Sequence, residues 1–317
     1  NIRTFIESKD SRILFNQKVH SLIVKDNYLK GVQTAQGEEF ISDHIILATG
    51  HSARDIYELL YKNEVALEKK GFATGVRIEH PTSHINDIQY GSSQFKKILP
   101  AAEYQLAHNN KKTNRGIYSF CMCPGGMVVN ASSEELHLCV NGMSYSKRNL
   151  PYSNSALVVT VKPEDLENNV LAGIEFQRSI EHLAYRKEKI NFYAPAQRVT
   201  SFLNDCIDQN LPESSYKPGI YEANIKTYLP EWIYKELIHA LYEFDKKMKG
   251  FITEEALLIG AETRTSSPIR IIREQDFQSL SHKGLYPIGE GAGYAGGIVS
   301  SAIDGIRVAE KIITSLS

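Results

Sequence analysis

Residues 284–310 read GLYPIGEGAGYAGGIVSSAIDGIRVAE and carry the clearest indication of the fold class. Its short apolar start predicts a strand, its glycine-rich middle predicts a tight turn, and the residues that follow predict a helix. The apolar stripe of that helix consists of Ala302, Ile306, Ala309, Ile313 and Leu316. A strand that runs through a tight turn into a helix is typical of α/β proteins.

Five of nine consecutive residues in the turn are glycines: Gly289, Gly291, Gly293, Gly296 and Gly297. Glycine loses the most conformational freedom on folding, so this density indicates positive φ angles or a ligand that approaches the backbone closely. The amino-terminal end of the following helix suits a phosphate or a partly anionic ring edge, and Glu290 suits sugar hydroxyls. The alternative is a tight turn that only packs the helix against its strand.

The spacing Gly291-x-Gly293-x-x-Gly296 matches the dinucleotide-binding fingerprint. That fingerprint requires a second parallel strand after its helix. Only 21 residues follow Gly296, and they read as one helix. The turn is therefore not the first turn of a Rossmann unit.

Working outward, residues 12–50 read as β-structure that ends in IILATG at 45–50, a strand buried on both faces. Residues 72–160 alternate like strands and carry many turn signals. The pattern becomes helical from residue 163. The clearest helix lies at 230–249, opened by Pro230 and followed by Gly250, with an apolar stripe along one face.

Composition limits the functional classes. The 317 residues have a net charge of -1 and no run of five basic residues, so neither nucleic acid nor a membrane surface is an expected partner. No apolar stretch is long enough to span a bilayer. Four unevenly spaced cysteines in a chain of this length favour a reducing cytoplasm. The first residue is Asn1 rather than Met, and we expect the chain to be part of a longer protein.

Several segments far apart resemble one family, the uncharacterised FAD-dependent dehydrogenases, also described as NAD(FAD)-utilising dehydrogenases. Besides the IILATG strand and the glycine-rich turn, the matching segments are ATGHSARD at 48–55, GVRIEHP at 75–81, FCMCPGG at 120–126, NGMS at 141–144, NSALVV at 154–159 and ETRTSSPIRI at 262–271. The resemblance spans nearly the whole chain. It is specific because all of these segments occur together, whereas any one of them alone would not be.

The resemblance implies an α/β fold with a Rossmann-like FAD/NAD(P)-binding domain that is incomplete at the amino terminus, because no GxGxxG unit precedes these segments. It implies parts of the FAD-binding domain at 1–72 and 262–317, a β-rich substrate domain at 73–205 and a helical segment at 206–261. We expect a chain without the GxGxxG unit to hold FAD poorly or not at all and to be inactive by itself.

The resemblance also implies roles for individual residues in holding FAD. Val19 lies in the strand that touches the adenine, and Thr49 and Gly50 end the strand beside the cofactor. Gly289 and Glu290 face the ribityl chain. The residues that approach the flavin or pyrophosphate by their backbone are Gly291, Ala292, Gly297 and Ile298.

Three residues are candidates for catalysis: Arg264, Cys123 and His80. Arg264 suits an anionic or carbonyl-bearing substrate, as do Arg77 and Arg270, with ordinary salt bridges as the alternative. Cys123 forms a C-x-C pair with Cys121, read either as a thiol beside the flavin or as two inert buried cysteines. The spacing shows no second pair of metal ligands. His80 suits a general acid or base, or a structural histidine.

The expected activity is flavin-dependent oxidation or reduction of a small molecule by hydride transfer, with NAD(P)H as a possible electron donor or acceptor. Two alternatives stay open. One is a flavin-dependent RNA-modifying enzyme, and the other is a non-catalytic scaffold of the same fold.

Overall fold

The structure is a computed structural model that describes residues 2–91, 98–185 and 192–316. The chain divides into two compact units. The first consists of Asn1–Glu68 and Ile269–Ser317, and the second of Lys69–Pro268. The predicted β-rich domain at 73–205 and helical segment at 206–261 thus lie within one unit, which is inserted into the other.

The described part of the chain contains both helices and strands. The strands are β1 (Val19–Lys25), β2 (Tyr28–Thr34), β3 (Glu39–Ile41), β4 (Ile45–Leu47), β5 (Leu67–Lys69), β6 (Phe72–Pro81), β7 (Ala107–Asn110), β8 (Arg115–Asn130), β9 (Val140–Met143), β10 (Tyr152–Val161), β11 (Ala194–Arg198), β12 (Ile220–Glu222), β13 (Leu257–Glu262), β14 (Ile269–Ile271) and β15 (Leu285–Pro287). The helices are α1 (Ile2–Glu7), α2 (Arg54–Lys62), α3 (Thr82–Tyr90), α4 (Ala172–Ala184), α5 (Val199–Leu203), α6 (Glu231–Lys247) and α7 (Ile298–Leu316).

The first unit contains three small sheets: antiparallel β1-β2-β3, the pair β14-β5, and the parallel pair β15-β4. The β1–β2 hairpin turns at Asp26 and Asn27, both with positive φ, as a two-residue hairpin turn requires. The strand expected from residue 12 begins only at Val19. Leu14 and Phe15 are exposed, so their apolar pattern has no core to face.

The second unit is built on an eight-stranded sheet, in the order β12-β11-β13-β6-β10-β8-β7, with β9 paired to β8. β6 and β10 lie at its centre and are buried along almost their whole length. The prediction of β-structure over 72–160 is confirmed, with α3 as a helix inside it.

Helix α6 confirms the helix expected at 230–249. It begins after Pro230 and ends before Gly250, which has a φ of +95°. Its apolar stripe is buried in the core of the second unit and comprises Ile233, Leu237, Leu241, Phe244 and Met248. Packing of one apolar face against the sheet accounts for this helix.

The stripe predicted on α7 is not a buried face. Ile306, Ile313 and Leu316 are all more than half exposed, whereas Asp304 and Val308 are buried. On the buried side, Asp304 makes a polar contact, described below, which apolar periodicity does not reveal. Within the described ranges, no helix combines the length and apolarity needed to cross a membrane.

Candidate functional site

The first unit brings the two decisive stretches of sequence to one edge of a parallel pair of strands. Residues Ile45, Ile46 and Leu47 of β4 pair with Leu285, Tyr286 and Pro287 of β15. The segments that follow, 48–50 and 288–291, therefore leave the sheet side by side. Ligands of open α/β sheets bind outside the carboxyl ends of such strands.

The backbones of these two segments touch. A β-carbon added to Gly291 would lie 2.7 Å from the carbonyl carbon and oxygen of Gly50. Only glycine at position 291 permits this approach. Gly50 and Gly289 have φ angles of +72° and +71°, which favour glycine, and the space beside the α-carbon of Gly50 is open. The glycines of this turn therefore provide positive φ at Gly289 and a close approach of two chain segments at Gly291, while close approach of a ligand stays a prediction.

A cavity of about 340 Å³ opens where the two segments meet. It is lined by Ala48, Gly50, Ile288, Gly289, Glu290, Gly291, Gly297, Ile298 and Ser301. Six predicted cofactor residues thus share one cavity with the first turn of α7. Ala292 is not among the lining residues, because it is buried and its carbonyl accepts a hydrogen bond from the Ile271 N–H at 3.1 Å.

The glycine-rich turn is held in place by two side chains. The Tyr57 hydroxyl of α2 donates to the carbonyl oxygen of Gly291 at 2.7 Å. On the other side, Asp304 of α7 accepts from the Gly289 N–H at 2.7 Å and from both Nη atoms of Arg273, at 2.7 and 3.0 Å.

Asp304 is charged in this arrangement. Burial alone would raise the pKa of its carboxyl, but the hydrogen bonds from Arg273 and Gly289 leave that pKa below its ordinary value. The ionised Asp304 therefore anchors α7 to the turn, and the amino-terminal end of α7 stays directed at the cavity.

A second, larger cavity of about 490 Å³ borders β4 and the chain segment that follows it. Val19 and Thr49, the residues expected on the adenine side, both line it, together with mainly aliphatic side chains. Ala48 lines both cavities. All predicted cofactor residues except Ala292 thus surround the end of β4.

His51 is a residue of this site that sequence reasoning missed. Its Nδ1 lies 3.3 Å from Oε1 of Glu290, and both side chains are about four-fifths buried. A protonated His51 pairs with the Glu290 carboxylate, and a neutral one donates a hydrogen bond to it. The sequence feature that could have identified His51 is its position directly after Gly50.

In the second unit, the fully buried Arg77 organises a polar cluster around Cys123. Its Nη1 binds both carboxylate oxygens of Glu262, at 2.7 and 2.9 Å, and its Nε donates to Asn154 at 2.8 Å. Its Nη2 donates to the Cys121 carbonyl at 2.7 Å and lies 3.6 Å from Cys123 Sγ. Burial raises the pKa of Glu262 to about 7, against the opposing charge of Arg77.

The structure places Arg264 in a separate buried ion pair. Its Nε and Nη2 bind the two carboxylate oxygens of Glu181 at 3.1 and 2.8 Å, and its Nη1 contacts Ser133. Arg264 is 8% exposed and Glu181 is fully buried. Arg270 belongs to the first unit, where it pairs with Glu68 at 2.8 Å.

His80 lies in the core of the second unit. Its Nε2 is 2.8 Å from the carbonyl oxygen of Phe251, and its Nδ1 is buried without a hydrogen-bond partner among the described residues. Burial lowers the pKa of His80 to about 4, so the ring is neutral at pH 7. Of the three predicted catalytic residues, only Cys123 lies against the Arg77 cluster.

Comparisons with known proteins identify the family of the chain. Residues 71–265 match the family model described as FAD-dependent protein, C-terminal domain-like. The match covers most of the second unit and more than half of the chain. The chain belongs to this family of FAD-dependent proteins.

An uncharacterised protein of Clostridium beijerinckii is 46% identical to the chain over 316 residues, which is 99% of the chain and 59% of that protein. The chain thus spans about three fifths of the length of this relative. Among solved structures, a salicylate hydroxylase substrate complex is similar at a TM-score of 0.33 and 11% identity, over 92% of this chain and 50% of the other. The tetracycline destructase Tet(51) is similar at a TM-score of 0.24 and 17% identity, over 53% and 34%.

The residues around the cavity fit FAD, the cofactor that the family name states. The fit rests on an open backbone at Gly50, Gly296 and Gly297, where an added β-carbon meets no atom closer than 3.9 Å. Each of these glycines leaves room for a ligand to approach the main chain.

Proposed function

We propose that this protein is a flavin-dependent oxidoreductase that acts on a small molecule, and that the first unit supplies part of the FAD site. The observation that carries the proposal is the backbone contact between Gly50 and Gly291 at the carboxyl ends of β4 and β15, beside the amino-terminal end of α7. This combination leaves main-chain atoms open at the edge of the sheet where nucleotides bind in α/β proteins.

The proposed contacts follow from the chemistry of each lining residue. The main chain of Gly297 and Ile298, at the positive end of α7, would face the pyrophosphate or the flavin edge. Glu290, oriented by His51, would accept hydrogen bonds from ribityl hydroxyls. Val19 and Thr49 would contact the adenine side. When bound, FAD supplies hydride acceptance and donation, which no amino-acid side chain provides.

The substrate-side roles of Arg264, Cys123 and His80 remain part of the proposal. Cys123 is supported most, because it lies beside the cation of Arg77. To bind a carboxylate or carbonyl oxygen of a substrate, Arg264 would have to give up one of its hydrogen bonds to Glu181. His80 is supported least as a general base, because a ring whose pKa is about 4 holds a proton weakly.

The cofactor role of Glu290 has a direct test with a matched control. Because we expect this chain to hold FAD weakly, FAD is titrated into the purified chain up to millimolar concentrations, and the bound fraction is measured by equilibrium dialysis. Glu290→Ala removes an acceptor worth about 1.5–3 kcal/mol, so we expect the dissociation constant to rise roughly 10- to 150-fold. Glu310→Ala removes an exposed carboxylate of α7 outside the cavity and should leave binding unchanged.

The longer relative from Clostridium beijerinckii tests the activity itself. It should purify with flavin bound, and its flavin should be reduced by NADH, NADPH or a member of a small-metabolite panel. A relative that neither retains nor binds FAD contradicts the proposal. Salt-dependent RNA binding would favour the RNA-modifying alternative, and a bound flavin that no reductant on the panel reduces would favour a non-catalytic scaffold.

A further inference from the structure

Cys121 and Cys123 lie on β8 at an irregularity of the central sheet. Cys123 faces Asn154 of β10, but the register slips before Phe120 pairs with Ala156. Cys121, within the slip, has a φ of +47°. Cys121 is exposed, whereas Cys123 is only 6% exposed. Solvent therefore reaches the residue Cys121, whereas Cys123 is almost entirely buried in the sheet.

The bulge changes the spacing of the two cysteines from that of a regular strand. Residues two apart in a regular strand have α-carbons about 6.6 Å apart, near the upper limit of about 6.8 Å for a disulfide. A residue with positive φ interrupts the extended run, and a bulge bends its strand. In addition, the thiol of Cys123 donates a hydrogen bond to the carbonyl oxygen of Cys121 at 3.4 Å.

The guanidinium of Arg77 occupies the space beside this pair of cysteines. A β-carbon at Gly142 would lie 2.3 Å from Nη2 of Arg77, so only glycine there admits the guanidinium. The guanidinium contacts the carbonyl of Cys121 and the sulfur of Cys123, and it is fixed by Glu262 from the opposite side. A fully buried arginine between two cysteines stabilises negative charge on sulfur.

The two thiols differ in acidity in the way that an attacking and a resolving thiol require. The hydrogen bond from Cys123 and the charge of Arg77 lower the pKa of Cys121 to about 6, although burial opposes them. The pKa of Cys123 is raised, first by its hydrogen bond to Cys121 and next by burial, with smaller contributions from the charges of Cys121 and Glu262. Arg77 opposes this rise.

We propose that Cys121 and Cys123 form a thiol–disulfide exchange site whose co-substrate is a disulfide, with Cys121 as the attacking thiolate and Cys123 as the resolving thiol. The site belongs entirely to the second unit and does not depend on the proposed flavin chemistry.

The exchange balances in two steps. The Cys121 thiolate attacks one sulfur of the disulfide R–S–S–R′, a Cys121–S–S–R bond forms, and R′S⁻ leaves and takes a proton from water. Cys121 no longer carries charge, so Arg77 now acts on Cys123, which loses its proton to solvent. The Cys123 thiolate attacks Cys121 Sγ, the intramolecular disulfide forms, and RS⁻ leaves. The dithiol loses two electrons, and the co-substrate is reduced to two thiols.

The test uses oxidised glutathione as the disulfide, with the reduced protein mapped by mass spectrometry. At pH 6, a thiol whose pKa is about 6 is roughly half thiolate, against roughly 0.3% for an ordinary thiol. After correction for its lower nucleophilicity, Cys121 should react about tenfold faster than an ordinary thiol. The exposed Cys206 serves as the comparator within the same molecule.

Three variants separate the roles. Wild-type protein should end with a disulfide between Cys121 and Cys123, whereas Cys123→Ser should stop at a mixed disulfide of Cys121 with glutathione. Cys121→Ser should form neither product, and Cys206→Ser should behave as wild type. The proposal is overturned if Cys121 of the wild type reacts no faster than Cys206, or if the wild type accumulates the mixed disulfide as Cys123→Ser does. The comparison of Cys121 with Cys206 is made within the wild-type protein, so it does not depend on whether any variant folds.

Discussion

Replacing Gly291 by Ala tests the contact on which the proposed cofactor site depends. The added β-carbon would lie 2.7 Å from the carbonyl carbon and oxygen of Gly50 and 2.9 Å from its α-carbon. Ordinary carbon contacts are about 3.5–4.0 Å, so the two segments must separate by roughly 1 Å. Because the opposing atoms are backbone, no side-chain rotation relieves the clash.

The expected cost is about 1–3 kcal/mol in the free energy of unfolding of the first unit, the range for overpacking at a tightly packed position. The φ of Gly291 is not in the positive region, so steric overlap is the only penalty. Gly296→Ala is the matched control, since its β-carbon meets no atom within 4 Å and its φ is also not positive. We expect that variant to unfold like the wild type.

The assay is urea denaturation combined with hydrogen exchange followed by mass spectrometry. Peptides that cover residues 45–50 and 285–297 should exchange faster in Gly291→Ala, while peptides of the second unit should not change. The reasoning is refuted if Gly291→Ala and Gly296→Ala are equally stable and exchange alike, because the backbone contact at Gly50 would then not exist in solution.

Three further predictions concern buried polar groups. Arg77→Met should cost about 3–5 kcal/mol in urea denaturation, because the Glu262 carboxylate loses its buried cation, and the double variant R77M/E262M should recover most of this loss; no recovery contradicts the pairing. The folded pKa of His80, about 4 because of burial, lies below its ordinary value of 6.5, so wild-type stability should fall as the pH drops from 6.5 to 4, by up to about 3 kcal/mol. His80→Gln should flatten that pH profile, and an unchanged slope would exclude His80 as its source. Asp304→Asn removes the charge that Arg273 binds and should lower the free energy of unfolding by about 1–3 kcal/mol; thermal denaturation identical to that of the wild type would show that the pair does not anchor α7.

Local elements were predictable where one periodic pattern and its end signals agree. Helix α6 has a proline at its start, a glycine after its end and a stripe that is buried in the structure. On α7 the predicted apolar stripe is exposed in this chain, whereas Asp304, which binds Gly289 and Arg273, is buried. A polar anchor of this kind leaves no mark in a hydrophobic pattern.

The candidate site was predictable in its composition but not in all of its contacts. The glycine density of 289–297 indicated positive φ angles or a ligand close to the backbone; positive φ is found at Gly289 and Gly293, and the backbone that approaches Gly291 is that of Gly50. His51 was missed because its partner Glu290 lies far away in the chain. Arg264 and Arg77 were identified as candidates, but their carboxylate partners, Glu181 and Glu262, were not, since nothing local links the members of each pair.

Most strands, turns and helices could be read from local patterns, because these elements depend on neighbouring side chains and on φ angles. Which side chains meet depends on the folded chain. Tyr57 reaches a carbonyl 234 residues away, and Arg77 reaches a carboxylate 185 residues away. Such contacts, and the acidity that they impose on Cys121, depend on distance and burial in the folded chain, and neither quantity is encoded in any short stretch of sequence.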